Sequence, residues 1–316
     1  MIGFKSGKQI AVDGKKKIFI APDTEYPEQG LNQSPLQRVD DKDLLRVFTK
    51  YKLSRDDVNL LTTFYSQTET SILDLKNSNW RLHQAFIDVE HLVLESLKTV
   101  YYGTKIKPLF SGRLAVCFQG SSNSGKTWMA TDILNTPEYV NKKCYVISAN
   151  ANDPSLTKLN KIRKKKNNIF LNIDKITEPL NIKMFPKEDC ILLIDDVFDS
   201  LGGHDPRKKI IADLVREVLT KGRHYKSKPS QIGMSVIIIL HNPMQGAMLS
   251  SLFIECKTFV TFPSKNSSFT KKFLQNKLAL SKKDMDPIFQ EQKGRFLLFS
   301  IPKPQFCIAE NFVRLL

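Results

Sequence analysis

Eight consecutive residues, Gly120-Ser121-Ser122-Asn123-Ser124-Gly125-Lys126-Thr127, bring together the groups needed to hold a string of phosphates. Their spacing is G-x-x-x-x-G-K-[ST], that of a phosphate-binding loop. The two glycines permit backbone angles that a side chain would block. Successive backbone N–H groups can then turn inward around an anion. Lys126 supplies a mobile point charge for the β- and γ-phosphates. The Thr127 hydroxyl is placed to ligand Mg²⁺. About 70 residues further on, Cys190-Ile191-Leu192-Leu193-Ile194-Asp195-Asp196 is an apolar run that ends in two carboxylates. Asp195 would hold Mg²⁺ through water. Asp196, closer to the γ-phosphate, would orient or deprotonate an attacking water. Hydrolysis needs both roles, because the water must lie in line with the leaving group. ATP and Mg²⁺ are therefore the expected ligands.

The elements that must position these groups are legible around them. Arg113–Phe118 is a short apolar run before the loop, and Thr127–Leu134 has helical character after it. Strand, glycine loop and helix N-terminus in that order make an anion site. Strands are expected at 113–118, 144–148, 168–173, 190–195 and 235–240. A helix is expected from Asp205, a natural N-cap, through Pro206 to Lys221. Its apolar face would be Ile210, Ile211, Leu214, Val218 and Leu219. Alternating strands and helices predict an α/β fold, a mostly parallel nucleotide-triphosphatase sheet flanked by helices. Near the end, 295–300 and 305–309 flank Pro302 and Pro304 and suggest a C-terminal β-hairpin.

The chain has 316 residues, long for one core and consistent with a main domain plus extensions. Residues 1–40 read as a basic, irregular N-terminal arm, 41–110 as a helical region and 111–316 as the ATPase domain. Between 41 and 102 there is no Gly or Pro. A heptad frame puts Val58, Tyr65, Ile72, Asn79, Phe86, Val93 and Val100 at a, and Leu61, Thr68, Leu75, Leu82, Val89 and Ser96 at d. Either a coiled coil between subunits or a helical layer packed on the chain's own domain would satisfy that pattern. No segment reaches the roughly 20 apolar residues of a membrane span, and no signal sequence opens the chain. The five widely spaced cysteines suggest free thiols in a reducing compartment rather than a disulfide framework or structural zinc.

After the helix ending at Lys221 come Gly222-Arg223-His224 and then Ser235–Leu240, an apolar strand leading into His241-Asn242-Pro243. A phosphate loop, a strand ending in Asp-Asp, then G-R-H and a strand that ends in a polar amide before proline resembles the FtsK/HerA superfamily. Within it, the pattern is most similar to genome-packaging ATPases of poxvirus-type and related large DNA viruses. Ser148–Pro154 and the ending of apolar strand, lysine-rich helix and hairpin add to the likeness, which spans about residues 112–310. The resemblance implies a RecA/FtsK-HerA-like core. It implies that Arg223 acts in the neighbouring subunit's site, so that the motor is a homo-oligomeric ring. It also implies that Asn242 is a γ-phosphate sensor. Family members more often carry Gln there, and His241 is the alternative sensor.

The formal net charge of +16 favours a polyanionic partner. Lys158, Lys161, Arg163, Lys164, Lys165 and Lys166 form a run that would either contact duplex DNA or face solvent, and a second lysine-rich run spans 265–283. Neither carries a base-reading motif, so DNA binding would be independent of sequence. The leading expectation is an ATP-driven double-stranded DNA translocase that packages a viral genome, with a capsid component as partner and the virion or host-cell interior as location. A related translocase or helicase of plasmid transfer or chromosome movement would use the same residues. A small-substrate kinase of the same loop class would need neither a DNA surface nor a trans arginine.

Overall fold

The computed structural model describes residues 2–3, 8–20, 41–66, 80–96, 100–150, 152–163, 167–241, 255–263, 268–278, 282–302 and 305–316. The chain divides into two units, 1–109 with 303–316, and 110–302. The first unit opens with strands β1 (Ile2–Gly3), β2 (Lys8–Asp13) and β3 (Lys16–Ile20). It continues through helices α1 (Asp41–Tyr51), α2 (Arg55–Ser66) and α3 (Trp80–Ser96), then strands β4 (Val100–Tyr102) and β5 (Ile106–Pro108). β1, β3, β2 and β5 lie in that order in one antiparallel sheet.

Within the expected irregular arm of 1–40, residues 8–20 are regular; residues 21–40 lie outside the described residues. Residues 8–20 form a hairpin whose two-residue turn carries Gly14 at φ +60°. Glycine at the first turn position accommodates the left-handed angle that such tight hairpins require. Ile10, Ala11, Ile18 and Ile20 are buried, while Lys15, Lys16 and Lys17 are exposed. The hairpin signal was present in Asp13-Gly14 between two alternating runs, but the lysine run masked it.

A single long coiled-coil helix over 41–102 is excluded. The chain turns at Lys52–Ser54, with Lys52 at φ +50°, and Val100 is in a strand. Ser54 starts α2 with a reciprocal cap: Asp57 N donates to Ser54 Oγ at 3.1 Å, and Ser54 N donates to Asp57 Oδ2 at 2.9 Å. Val47, Leu61, Leu82, Ala85, Phe86 and Val89 bury one another, so the apolar stripes are spent within the three helices. The heptad positions 68, 72, 75 and 79 lie outside the described residues.

The second unit runs β6 (Ala115–Gly120), α4 (Lys126–Leu134), β7 (Lys143–Ser148), α5 (Pro154–Ile162), β8 (Asn168–Phe170), β9 (Cys190–Asp195), α6 (Val197–Ser200), α7 (Pro206–Lys221), β10 (Met234–Leu240), β11 (Thr258–Phe262), α8 (Ser268–Leu278), α9 (Lys282–Glu291) and β12 (Leu297–Ser300). Its strands lie in the order β12-β11-β6-β10-β9-β7-β8. All are parallel except β12, which runs antiparallel to β11. β9 and β10 are buried at every residue, which is why each reads as an unbroken apolar run. The 113–118 expectation shifts to 115–120. Arg113 is instead drawn across to Val218 O, Leu219 O and Met234 O, where it caps the C-terminus of α7. α7 starts as expected, with Asp205 Oδ1 accepting from Arg207 N at 2.9 Å and Pro206 in the first turn.

The chain then returns to the first unit as β13 (Phe306–Ala309) and β14 (Phe312–Leu315), paired antiparallel with each other. β14 also pairs antiparallel with β4. The terminal strands group with 1–109 rather than with the 110–302 unit, and β14 finds its partner β4 early in the chain. The strand at 312–315 extends this ending beyond the hairpin expected from sequence.

Candidate nucleotide site

β10 lies between β6 and β9, and that order builds the site. Gly120 ends β6, Asp195 ends β9, and Leu240, the last residue of β10, delivers His241 between them. Gly120 sits at φ +156°, and a Cβ there would come within 2.9 Å of Phe262 Cβ and of Ser124 Oγ. Phe262, at the end of β11, thus closes one side of the loop. Gly125 at φ +100° then starts α4. The first N–H groups of a helix have no partner within it, so they face whatever the loop encloses.

Lys126 is only 4% exposed. Its Nζ donates to Gly120 O at 3.0 Å and Ser121 O at 2.9 Å, and lies 3.2 Å from His241 Nδ1. His241 Nε2 is 3.1 Å from Asp196 Oδ2. An ammonium can only donate, so Nδ1 accepts and the ring proton sits on Nε2, directed at Asp196. The His241 N–H donates to Asp199 Oδ2 at 2.6 Å, which anchors the residue from behind. Burial lowers the Lys126 pKa, and the negative charges of Asp196, Asp195 and Asp199 oppose that shift.

Asp195 is buried and doubly held. Thr127 Oγ1 donates to its Oδ1 at 3.0 Å, and Ser148 Oγ donates to its Oδ2 at 3.0 Å. Burial raises its pKa to about 6, the neighbouring Asp196 charge adds to that rise, and the two hydroxyl donors oppose it. Asp196 has a left-handed backbone, φ +54°, at the start of α6. Its Oδ2 faces His241, while its Oδ1 is buried and makes no hydrogen bond.

These residues fit a Mg²⁺-bound nucleoside triphosphate. The Gly120 cradle has no room for a side chain, Ser124 Oγ and Asp196 Oδ1 are buried polar atoms without protein partners, and Thr127 and Asp195 offer adjacent hard oxygens. Mg²⁺ held at Thr127 and Asp195 would neutralise charge on the outer phosphates. Ser148, an orienting partner of Asp195, was not assigned a role from sequence. In sequence it stood only as the first residue of the Ser148–Pro154 stretch, at the end of an expected strand. Asn242 lies outside the described residues, as do Lys164, Lys165 and Lys166.

Arg223 lies at the other end of β10. Met234, the first residue of that strand, donates its N–H to Gly222 O at 2.9 Å. A Cβ on Gly222 would overlap Val218 O and Met234 O, so glycine lets the chain turn tightly there. The seven residues of β10 then separate this corner from His241, about 20 Å at strand rise. Arg223 is exposed, its Nε donating to His224 Nε2 at 2.8 Å. It therefore does not reach the nucleotide loop of its own chain.

The basic run needs one correction. Arg163 is 2% exposed and cannot contact DNA. Its guanidinium donates to Leu134 O and Tyr139 O, each at 2.7 Å, to Asn168 Oδ1 at 2.9 Å, and to Lys142 O. It satisfies carbonyls at the end of α4 and in the following turn, a task that a planar five-donor group suits. Arg163→Ala is expected to destabilise the fold by about 3 kcal/mol, because buried acceptors lose their donors. Urea unfolding checks the value, and a loss below about 1 kcal/mol would contradict this role. In the second lysine-rich run, Lys271 is ion-paired with Asp286 at 2.9 Å and so ties α8 to α9. None of the five cysteines forms a disulfide, and all are buried.

A parallel sheet with a glycine loop, Lys126, Thr127 and a paired-carboxylate strand end defines a P-loop NTPase fold. No protein-family model matches the chain, and no curated protein matches it by sequence. Among solved structures it is similar to the genome packaging NTPase B204 from Sulfolobus turreted icosahedral virus 2 in complex with ATP-gammaS, at 11% identity and TM-score 0.39, covering 66% of this chain and 100% of that one. It is also similar to the pCW3 conjugation coupling protein TcpA, at 14% identity and TM-score 0.41, covering 67% and 65%. A third is EssC from Geobacillus thermodenitrificans, at 14% identity and TM-score 0.37, covering 66% and 41%. The fold itself is defined by the strand order and loop already described. Among the described residues no helix is long and apolar enough to cross a membrane.

Proposed function

We propose that the protein is an ATP-driven double-stranded DNA translocase that packages a viral genome into a capsid, working as a homo-oligomeric ring. The observation that carries this reading is the arrangement along β10. One end of the strand carries His241 between Lys126 and Asp196, and the other carries the exposed Arg223 corner. A site that needs an arginine would have to receive it from a second copy of the chain, as the resemblance to ring motors implies.

Within the site, Lys126 would hold the outer phosphates and leave its contacts with the loop carbonyls to do so. Asp196 Oδ1 would accept a hydrogen bond from the attacking water. His241 would hold Asp196 through Nε2 and report, through Nδ1, where Lys126 is. Asn242, the sensor that the resemblance implies, is the other candidate for that role. The +16 charge and the lysines at 161 and 164–166 support a polyanionic partner, with Arg163 removed from that surface and Lys158 paired with Asp132.

The test is ATP turnover with and without duplex DNA of unrelated sequences, across a salt series. Duplex should stimulate turnover regardless of sequence, and half-maximal stimulation should need more DNA as salt rises. Replacing Lys164, Lys165 and Lys166 by Gln should reduce the slope of log affinity against log salt by up to about 3. Turnover indifferent to duplex DNA would sink the translocase reading and favour a small-substrate phosphotransferase. Stimulation without association with capsid protein would favour a plasmid-transfer or chromosome translocase.

A further inference from the structure

Trp128 follows the loop's threonine, and 52% of its surface is exposed. Single exposed apolar residues are ordinary. What sets Trp128 apart is its place and its partners. Lys158 Nζ, from α5, lies 4.2 Å from the centre of the indole ring. The same Nζ is 3.4 Å from Asp132 Oδ1, one turn along α4 from the tryptophan. A cation held over one face by an ion pair restrains the ring's orientation, while half of the residue's surface stays exposed.

The path of a bound nucleotide brings it to that face. Its outer phosphate belongs beside Lys126, His241 and Asp196, which are in mutual contact. The inner phosphates belong at the first-turn N–H groups of α4, those of Thr127 and Trp128 among them, which have no partner within the helix. Thr127 turns its hydroxyl inward to Asp195. Trp128 is the next residue around the helix, on the side of α5. A nucleoside attached to those inner phosphates would leave the loop on the indole's side.

We propose that Trp128 is the nucleobase platform of this site, with the base stacked on the open face of the indole and Lys158 bracing the other. The inference rests on the loop holding a nucleotide, and it adds what the loop itself does not supply, a grip on the base. An indole face reads no hydrogen-bonding pattern, so discrimination follows stacking strength, purines above pyrimidines.

The experiment compares ADP, CDP and inorganic tripolyphosphate by titration calorimetry on parent, Trp128→Ala and Trp128→Phe proteins, with Mg²⁺ present. Trp128→Ala is expected to weaken ADP binding about 10- to 100-fold, to weaken CDP less, and to leave tripolyphosphate within about twofold; Trp128→Phe should recover most of the loss. In a Trp80→Phe background Trp128 is the sole indole, and ADP but not tripolyphosphate should quench its emission. Equal weakening of ADP and tripolyphosphate would overturn the proposal, because a general disturbance of the loop affects both. Unchanged ADP affinity with lost oligomerisation would also overturn it and make Trp128 a subunit contact. If the parent binds neither ADP nor tripolyphosphate, the nucleotide reading fails and the platform with it.

Discussion

Arg223→Ala protein is expected to bind ATP as the parent does and to hydrolyse it about 10³- to 10⁵-fold more slowly. A guanidinium directed at the γ-phosphate stabilises charge that develops only in the transition state, so binding is spared and turnover is not. The strand length between the Gly222 corner and His241 keeps Arg223 from acting in its own chain. Arg223→Lys should recover little, since a point charge does not reproduce the planar fork. The sharper measurement mixes Arg223→Ala with Asp196→Asn protein. In a mixed ring some interfaces pair an intact Arg223 with an intact Asp196, and a fraction of activity returns. If both residues served one chain's site, every subunit would be defective. Mixed assembly without any rescue would rule out the trans role.

Asp195→Asn should move stability and activity in opposite directions. The folded-state pKa of Asp195 is raised to about 6 from an ordinary 3.8, mainly by burial. The folded state therefore binds more protons than the unfolded chain between about pH 4 and pH 6, and stability falls as pH rises through that window. A shift of about two pKa units corresponds to about 3 kcal/mol of strain carried at neutral pH by the buried charge. Asn keeps an oxygen for one hydroxyl donor and removes the charge. In the absence of divalent cations Asp195→Asn should accordingly unfold at higher urea than the parent at pH 7, with the difference shrinking towards pH 4. Hydrolysis should be lost, because the carboxylate's charge is what Mg²⁺ uses, and Mg²⁺ affinity should drop about 10- to 100-fold or more. A variant less stable than the parent at pH 7 without divalent cation would mean that Asp195 is a structural acceptor rather than a strained ligand.

The residues that could be read without a structure are those whose chemistry is encoded locally. Gly120 to Thr127 and Asp195-Asp196 are contiguous, and their spacing alone brings backbone N–H groups, a cation and two carboxylates to the ends of strands. Asp205-Pro206 marked a helix start for the same reason, since a cap acts on its own next turn. Tertiary structure decided everything that depends on which strands are neighbours. β10 falls between β6 and β9, and only that order brings His241 into contact with both Asp196 and Lys126, the latter 115 residues away in sequence. It also sets Arg223 a full strand away from its own site. Burial of long polar side chains is likewise a property of the assembled fold. Arg163 looked like one more cation in a basic run, yet it is enclosed because the carbonyls of Leu134, Tyr139 and Lys142 converge on its guanidinium. Lys158, five residues earlier, remained part-exposed and went instead to an indole. Local pattern states what a residue can do, whereas the convergence of distant backbone groups determines which of those things it does.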